Sequence, residues 1–147
     1  MPVLTVNKKA RHDYDILETL EVGIQLEGQE VKSVRAGRMG LLGSYVTIRQ
    51  GQAWLLNAHV PKYPQAGPLP GYDPYRTRRL LLHRREVARL MGRLETKGLT
   101  LVPLSVYTKR SLIKLEIGLG RGKTQYEKRD SIKKRDLDRE VRRALKL

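Results

Sequence analysis

A chain of 147 residues is long enough to bury the core of one domain and too short for two. Thirty basic residues against fifteen acidic ones give a formal charge of +15 and an isoelectric point near 10.4, a field that draws polyanions, with nucleic acid the leading partner and an anionic membrane surface the rival. The absence of cysteine excludes a disulfide scaffold and a thiolate metal site, the longest aliphatic cluster, Leu80-Leu81-Leu82, falls far short of a membrane span, and no apolar signal segment follows the N-terminus, so a cytoplasmic protein is expected.

The chain opens on Asn7-Lys8-Lys9-Ala10-Arg11-His12, a basic arm ahead of any hydrophobic periodicity. It suits either a solvated, disordered terminus or a clamp on phosphate. Residues 14–21 alternate as a strand, with Ile16 and Leu20 on one side. Gly23 breaks that pattern. Residues 24–35 are ambiguous between helix and strand, but Ile24, Gly28, Val31 and Val34 recur every three or four positions, which favours a helix carrying Lys32 and Arg35 together on another face. Gly37, Gly40 and Gly43 mark a loop before a strand at 45–49, which Gln50-Gly51-Gln52 joins to a partner at 53–56. Residues 61–75 hold five prolines and two glycines and read as a long loop, whose Tyr63, Tyr72 and Tyr75 either stack on bases or pin the loop to the domain.

From His83 a helix is expected, with Val87, Leu90, Met91 and Leu94 on its apolar face, Arg85, Arg89 and Arg93 opposite, and Gly98 capping its end. Strands follow at 99–107 and 112–119, around a loop at 108–111. In the second strand Ile113, Leu115, Ile117 and Leu119 point one way and Lys114 and Glu116 the other. Gly118, Gly120 and Gly122 are expected to end the contacts of the core. Five or six strands joined mostly by hairpins, with two added helices and a basic C-terminal tail, suit a mainly β, small antiparallel barrel of the oligonucleotide-binding type over residues 1–122.

Residues 123–147 carry ten basic and five acidic side chains. Leu137, Val141, Ala144 and Leu145 form a helical stripe among Arg135, Arg139, Arg142 and Arg143. So short and charged a helix is marginal alone, and neutralisation in a phosphate-lined channel would favour it.

Chemistry of other kinds finds no support. Gly122-Lys123-Thr124 ends like a phosphate-binding loop, but Ile117 stands where that motif needs its first glycine, and too little chain follows for the required helix and sheet. His12, His59 and His83 fall in separate segments without metal-ligand spacing, and no G-x-S-x-G element is present. A binding protein is expected, without enzymatic activity, cofactor or metal.

Five motifs, in this order, resemble the bacterial small protein B family, the SsrA-binding partners of transfer-messenger RNA (tmRNA). They are Asn7-Lys8-Lys9-Ala10 with His12-Asp13-Tyr14; Glu21-Val22-Gly23-Ile24; Gly28-Gln29-Glu30-Val31-Lys32-Ser33-Val34-Arg35; Arg76-Thr77-Arg78-Arg79-Leu80-Leu81-Leu82-His83; and Gly122-Lys123-Thr124-Gln125-Tyr126-Glu127-Lys128-Arg129. The resemblance implies an oligonucleotide-binding barrel that binds the tRNA-like domain of tmRNA in place of the missing anticodon arm, and a role in ribosome rescue by trans-translation. It places Asn7, Lys8, Lys9, His12, Glu21, Lys32, Arg35, Leu81 and His83 on the tmRNA surface, where the family often has asparagine at the position of His83. It places Gly122, Lys123, Tyr126, Lys128 and Arg129 at the decoding centre of the small ribosomal subunit, against ribosomal RNA, with Thr124 and Glu127 departing from the usual lysine and aspartate. The tail, with Lys133, Lys134, Arg135, Leu137, Arg139, Val141, Arg142, Arg143 and Leu145, would enter a vacant messenger channel. Alanyl-tmRNA and elongation factor Tu are implied as companions of a monomer. A ribosomal or initiation-type RNA-binding protein would share the charge and the barrel without tmRNA, and a basic protein acting on membranes would not discriminate RNA shape.

Overall fold

Strands that are apolar on one face must cover it, and here they do so by closing on one another. The computed structural model describes residues 2–123. In chain order these form β1 (Val3–Val6), α1 (Lys8–Asp13), β2 (Tyr14–Ile24), α2 (Gly28–Arg35), β3 (Tyr45–Arg49), β4 (Gln52–Leu56), a 3-10 turn (Pro64–Ala66), β5 (Arg78–Leu81), α3 (Arg84–Leu94), β6 (Leu99–Lys109) and β7 (Leu112–Gly122). The ring runs β6, β3, β4, β5, β2, β7 and back to β6, with every pairing antiparallel. β1 adds to the C-terminal half of the β6 edge that β3 leaves free. The expected mainly β antiparallel barrel is therefore present. Its interior is filled by Val22, Ile24, Val46, Leu55, Leu80, Leu101, Val106, Leu115, Ile117 and Leu119, all buried.

Several expectations need correction. Among the described residues there are seven strands and three α-helices, where five or six strands and two helices were expected. The basic arm is the helix α1, whose only buried residue is Ala10, so no apolar period could announce it. Asn7 caps this helix. Gly23 does not end β2, which continues to Ile24, so the following helix starts only at Gly28. α3 ends at a cap on Glu95, and Gly98, at φ +89°, instead turns the chain into β6. Met91 is exposed, leaving Val87 and Leu90 as the buried face of α3.

The largest correction concerns the glycines of β7. They do not end the core; the strand runs through them to Gly122. Each neighbour of β7 carries a bulge, at Ile16/Glu18 in β2 and at Pro103/Ser105 in β6. An inserted residue reverses which face the following side chains take. Thus Val22 of β2 and Val106 of β6 join the interior, whereas Ile16, before the bulge of β2, and Leu104, the inserted residue of the β6 bulge, join Ala10, Tyr14 and Val102 in a second apolar cluster on the outer wall. That cluster lies on the glycines. A Cβ at Gly118 would stand 2.9 Å from Leu104 Cδ1 and 3.1 Å from Ile16 Cγ2, and one at Gly120 would stand 3.2 Å from the Asp15 carbonyl oxygen. Glycine at these positions lets α1 and its apolar neighbours sit against the barrel.

The proline-rich loop is ordered by α2. Tyr63 N–H donates to Gln29 Oε1 (3.0 Å), and Ser33 Oγ donates to the Pro61 carbonyl (2.7 Å). Between these two, Glu30 is wholly buried, as is Arg78 of β5. Arg78 Nε donates to Glu30 Oε2 at 2.9 Å, and its Nη1 reaches the carbonyls of Ala58 (3.0 Å) and Arg76 (3.1 Å). Arg76 and the Tyr72 hydroxyl also donate to the carboxylate, Tyr72 at 3.0 Å. Burial alone pushes the Glu30 carboxyl up, but hydrogen bonds from Arg76, the Glu27 amide and Arg78 outweigh it and hold the group to about 2. Tyr72 is thus a pin for the loop.

Two stability measurements check this packing. Glu30→Gln leaves a buried guanidinium without its anion and should cost about 3–5 kcal/mol. Because the folded carboxyl lies below its ordinary value of 4.5, the stability it contributes is complete above that pH and is lost as pH falls toward about 2. Urea midpoints should therefore drop over that window, less steeply in Glu30→Gln. Gly118→Val should destabilise by about 1–3 kcal/mol through overpacking. Gly122→Ala, where nothing lies within 4 Å, should stay within about 0.5 kcal/mol of wild type by the same urea assay.

Candidate nucleic-acid interface

The outer wall formed by β2, β7 and β6 carries the charge that the interior refuses. Residues facing out after the bulges include Glu21 on β2, Lys114 and Glu116 on β7, and Tyr107 and Lys109 on β6, with Glu21 registered opposite Glu116 and Tyr107 opposite Lys114. α1 joins this wall, because Arg11 Nη2 reaches Glu116 Oε1 at 3.1 Å. The arm and the Glu21 motif, expected at opposite ends of one strand, are so brought together.

A carboxylate on a surface meant for phosphate needs a reason, and the geometry supplies one. Glu21 Oε2 accepts from the Tyr107 hydroxyl, and Oε1 accepts from Lys109 Nζ at 3.3 Å. These partners hold the Glu21 carboxyl below the usual carboxylate range, Tyr107 first and Lys109 after it. Burial and the neighbouring Glu21 push the Tyr107 hydroxyl well above its ordinary range. Glu21 is thus an ionised anchor that fixes the position of a lysine; Arg11 and Glu116 form a second such pair beside it.

The other predicted residues are distributed around this wall. Lys8 and Lys9 are exposed on α1. Asn7 is buried: Oδ1 accepts from the Ala10 amide (3.2 Å), Nδ2 donates to the Pro103 carbonyl (2.9 Å), and its own N–H donates to the Leu104 carbonyl (2.8 Å), so both ends of its carboxamide are spent in tying α1 to β6. His12 Nδ1 lies 3.0 Å from Asp13 Oδ1, and its Nε2 is shielded without a hydrogen-bond partner among the described residues. Arg35 and Leu81 line a common cleft of about 330 Å³ with Gly23 and Lys114. Leu81 is half exposed there because Gly23, its register partner, leaves room: a Cβ on Gly23 would stand 3.2 Å from that of Leu81. Arg35 Nη2 is steadied by the Ser111 carbonyl at 2.7 Å. Lys32, one turn earlier on α2, stands 5.8 Å above the Tyr63 ring. His83 is exposed at the N-cap of α3, its amide donating to Glu86 Oε1 at 3.0 Å.

At the far end of β7, Gly122 pairs with Tyr14, and Lys123 turns back on α1: its amide donates to the Asp13 carbonyl (2.8 Å) and its Nζ to the Arg11 carbonyl (3.3 Å). Tyr126, Lys128 and Arg129, and the tail residues Lys133 to Leu145 named above, lie outside the described residues. Among the described residues no group of three or more His, Asp or Glu side chains is placed to hold a metal ion. No helix there is long and apolar enough to cross a membrane.

Comparison with known proteins shows what kind of chain carries this wall. The model of the SmpB protein family matches residues 4–147. The chain belongs to the SmpB family. It is 50% identical over 144 residues to the SsrA-binding protein of Trichormus variabilis, covering 98% of this chain and 93% of that one. To the SsrA-binding protein of Chloroflexus aurantiacus it is 52% identical, covering 98% and 90%. A solved structure described in the words "tmRNA-SmpB: a journey to the center of the bacterial ribosome" holds a chain 44% identical to this one, with a TM-score of 0.68 over 90% of this chain and 95% of that chain.

In this member of the SmpB family, Arg11 already belonged to the basic arm, whereas sequence patterning alone missed Tyr107 and Lys109 as parts of the surface. Their signal was the register of the β6–β7 hairpin. Once the turn is placed at Arg110-Ser111, both at positive φ, Tyr107 must face out beside Lys114. The Glu21 anchor has a direct check. Tyr107 should ionise above the ordinary tyrosine range in a carbon-13 NMR titration, and in Glu21→Gln its value should fall, because the anion that opposes phenolate formation has gone.

Proposed function

We propose that the protein binds the tRNA-like domain of tmRNA and delivers it to stalled ribosomes for trans-translation in the cytoplasm, as a binding protein and not an enzyme. The observation that carries this reading is the convergence of Lys8, Lys9, Glu21, Arg35 and Leu81 on and around one outer wall, in a chain of the SmpB family whose relatives are SsrA-binding proteins. α1 presents Lys8 and Lys9 to phosphate, Glu21 fixes Lys109, and the apolar Leu81 with Arg35 and Lys114 forms a cleft for a base or ribose edge. His12, Lys32 and His83 flank these groups, and Asn7 acts by holding α1 in place.

In the same reading, Gly122, Lys123, Tyr126, Lys128 and Arg129 face the decoding centre of the small subunit. The tail from Lys133 to Leu145 enters the messenger channel when it is empty, so that vacancy is sensed by exclusion. The anchoring of Lys123 on the C-terminal end of α1 supports this division. It sets the start of the ribosomal segment at the opposite end of the same helix from Lys8 and Lys9, which leaves both partners room.

The test separates the two surfaces. Replacing Lys8 and Lys9 with Ala should weaken tmRNA binding and flatten its salt dependence by roughly one unit of slope for each phosphate no longer neutralised, in a variant with unchanged circular dichroism. Replacing Lys123, Lys128 and Arg129 with Ala should keep most tmRNA affinity while peptide tagging on stalled ribosomes fails. An unchanged affinity and slope in the first variant, or parallel loss of binding and tagging in the second, overturns the assignment.

A further inference from the structure

The side of the barrel away from this wall is centred on β4, which lies three strands from β7 in either direction around the ring. Its outer face holds Trp54, the single tryptophan of the chain. Trp54 is half-buried and stands in register between Thr47 of β3 and Arg79 of β5, with Arg49 diagonal to it through the Arg49–Gln52 pair. The indole Nε1–H points to the Arg49 carbonyl at 3.5 Å. Two open clefts meet at this ring, one of about 650 Å³ reaching Arg49, Gln50 and Thr77, the other of about 270 Å³ reaching Gln25 and Arg79. Arg49 and Arg79 are exposed, and among the described residues neither guanidinium has a partner. Nearby Arg76, in contrast, is committed to Glu30 and Glu27, and so neutralises Glu27, the carboxylate that lines the smaller cleft.

We infer that this face is a second RNA contact, a stacking platform for an unpaired nucleotide, with the base on Trp54 and the adjoining phosphates on Arg49 and Arg79. An aromatic ring reached through shallow clefts and flanked by two uncommitted cations has the chemistry of single-strand recognition: stacking accepts any base, and the arginines hold the backbone. Duplex RNA does not satisfy it, because paired bases are stacked on each other and out of reach of a side chain. An acidic peptide would use the cations and leave the ring without a partner of its own kind. The inference rests on the proposed RNA-binding role, and places on the protein a contact separate from the α1 wall. The unpaired nucleotide belongs either to tmRNA or to ribosomal RNA.

The lone tryptophan makes the test direct. Fluorescence of the full chain should be quenched saturably by a short single-stranded oligoadenylate, and not by an RNA duplex of equal length. Arg49→Gln with Arg79→Gln should weaken that response roughly tenfold. Lys8→Ala with Lys9→Ala should leave it in place. No quenching, equal quenching by the duplex, a full response in the double arginine variant, or its loss in the lysine variant would each overturn the inference. The source is read from Trp54→Leu, checked for folding by circular dichroism. A drop in tmRNA affinity, restored by Trp54→Phe, assigns the nucleotide to tmRNA. Intact tmRNA affinity with reduced tagging assigns it to ribosomal RNA, and no change in either defeats the proposal. Should the lysine variant bind tmRNA normally while oligoadenylate still quenches Trp54, the α1 surface fails and this second platform stands.

Discussion

Glu30 and Arg78 are both wholly removed from water, and the order of the barrel's outer layer depends on their union. Each charge alone would be prohibitive at that depth. Together they are saturated: the carboxylate takes donors from Arg78, Arg76, Tyr72 and the Glu27 amide, while the guanidinium spends its remaining N–H groups on the carbonyls of Ala58, Arg76 and Pro74. Those carbonyls come from chain outside the strands, where that of Pro74 also accepts from the Val60 amide at 3.0 Å. One ion pair therefore fastens α2 to β5 and folds a proline-rich loop onto the domain, which fixes the outward aim of Arg79 and Leu81 on the same short strand.

Barrel closure sets the second constraint. A ring of antiparallel strands has one interior, so each strand must choose which side chains to exclude from it. In β2 and β6 the choice changes part-way, at the two bulges flanking β7. Ile16, before the bulge of β2, and Leu104, within the bulge of β6, turn outward, and glycines in β7 receive them. This outer apolar cluster seats α1 by Ala10, and α1 in turn carries Arg11 to Glu116, the register partner of Glu21, and holds Lys8 and Lys9 exposed at its N-terminal end. A packing device thus places the charged surface.

On that surface, acidic groups serve basic ones. Glu21 and Glu116 are each committed to a cation, so they subtract charge yet give position. α3 is docked in the same manner, its Arg89 and Arg93 converging on Glu18, with Arg93 Nη1 at 2.9 Å. Such exposed pairs contribute little stability each. Their effect here is directional: they decide which lysines and arginines stay free for a polyanion.

Composition and local pattern determined a good deal. A charge of +15 without cysteine named a polyanion partner, alternation placed the strands of a small antiparallel barrel, and five motifs pointed to the SmpB family that comparison then showed. The inward set of β7, Leu115, Ile117 and Leu119, is where alternation placed it. α1 was illegible because a six-residue helix with one buried alanine has no period to read. The bulges were illegible because an inserted residue reverses the faces of a strand without a signature of its own, and only the neighbouring strand reveals it. Glu30 and Arg78 are 48 residues apart, and Arg11 and Glu116 are 105 apart. Periodicity describes which face a residue takes on its own element, whereas such pairs depend on how elements are brought together, and that was decided only when the ring closed.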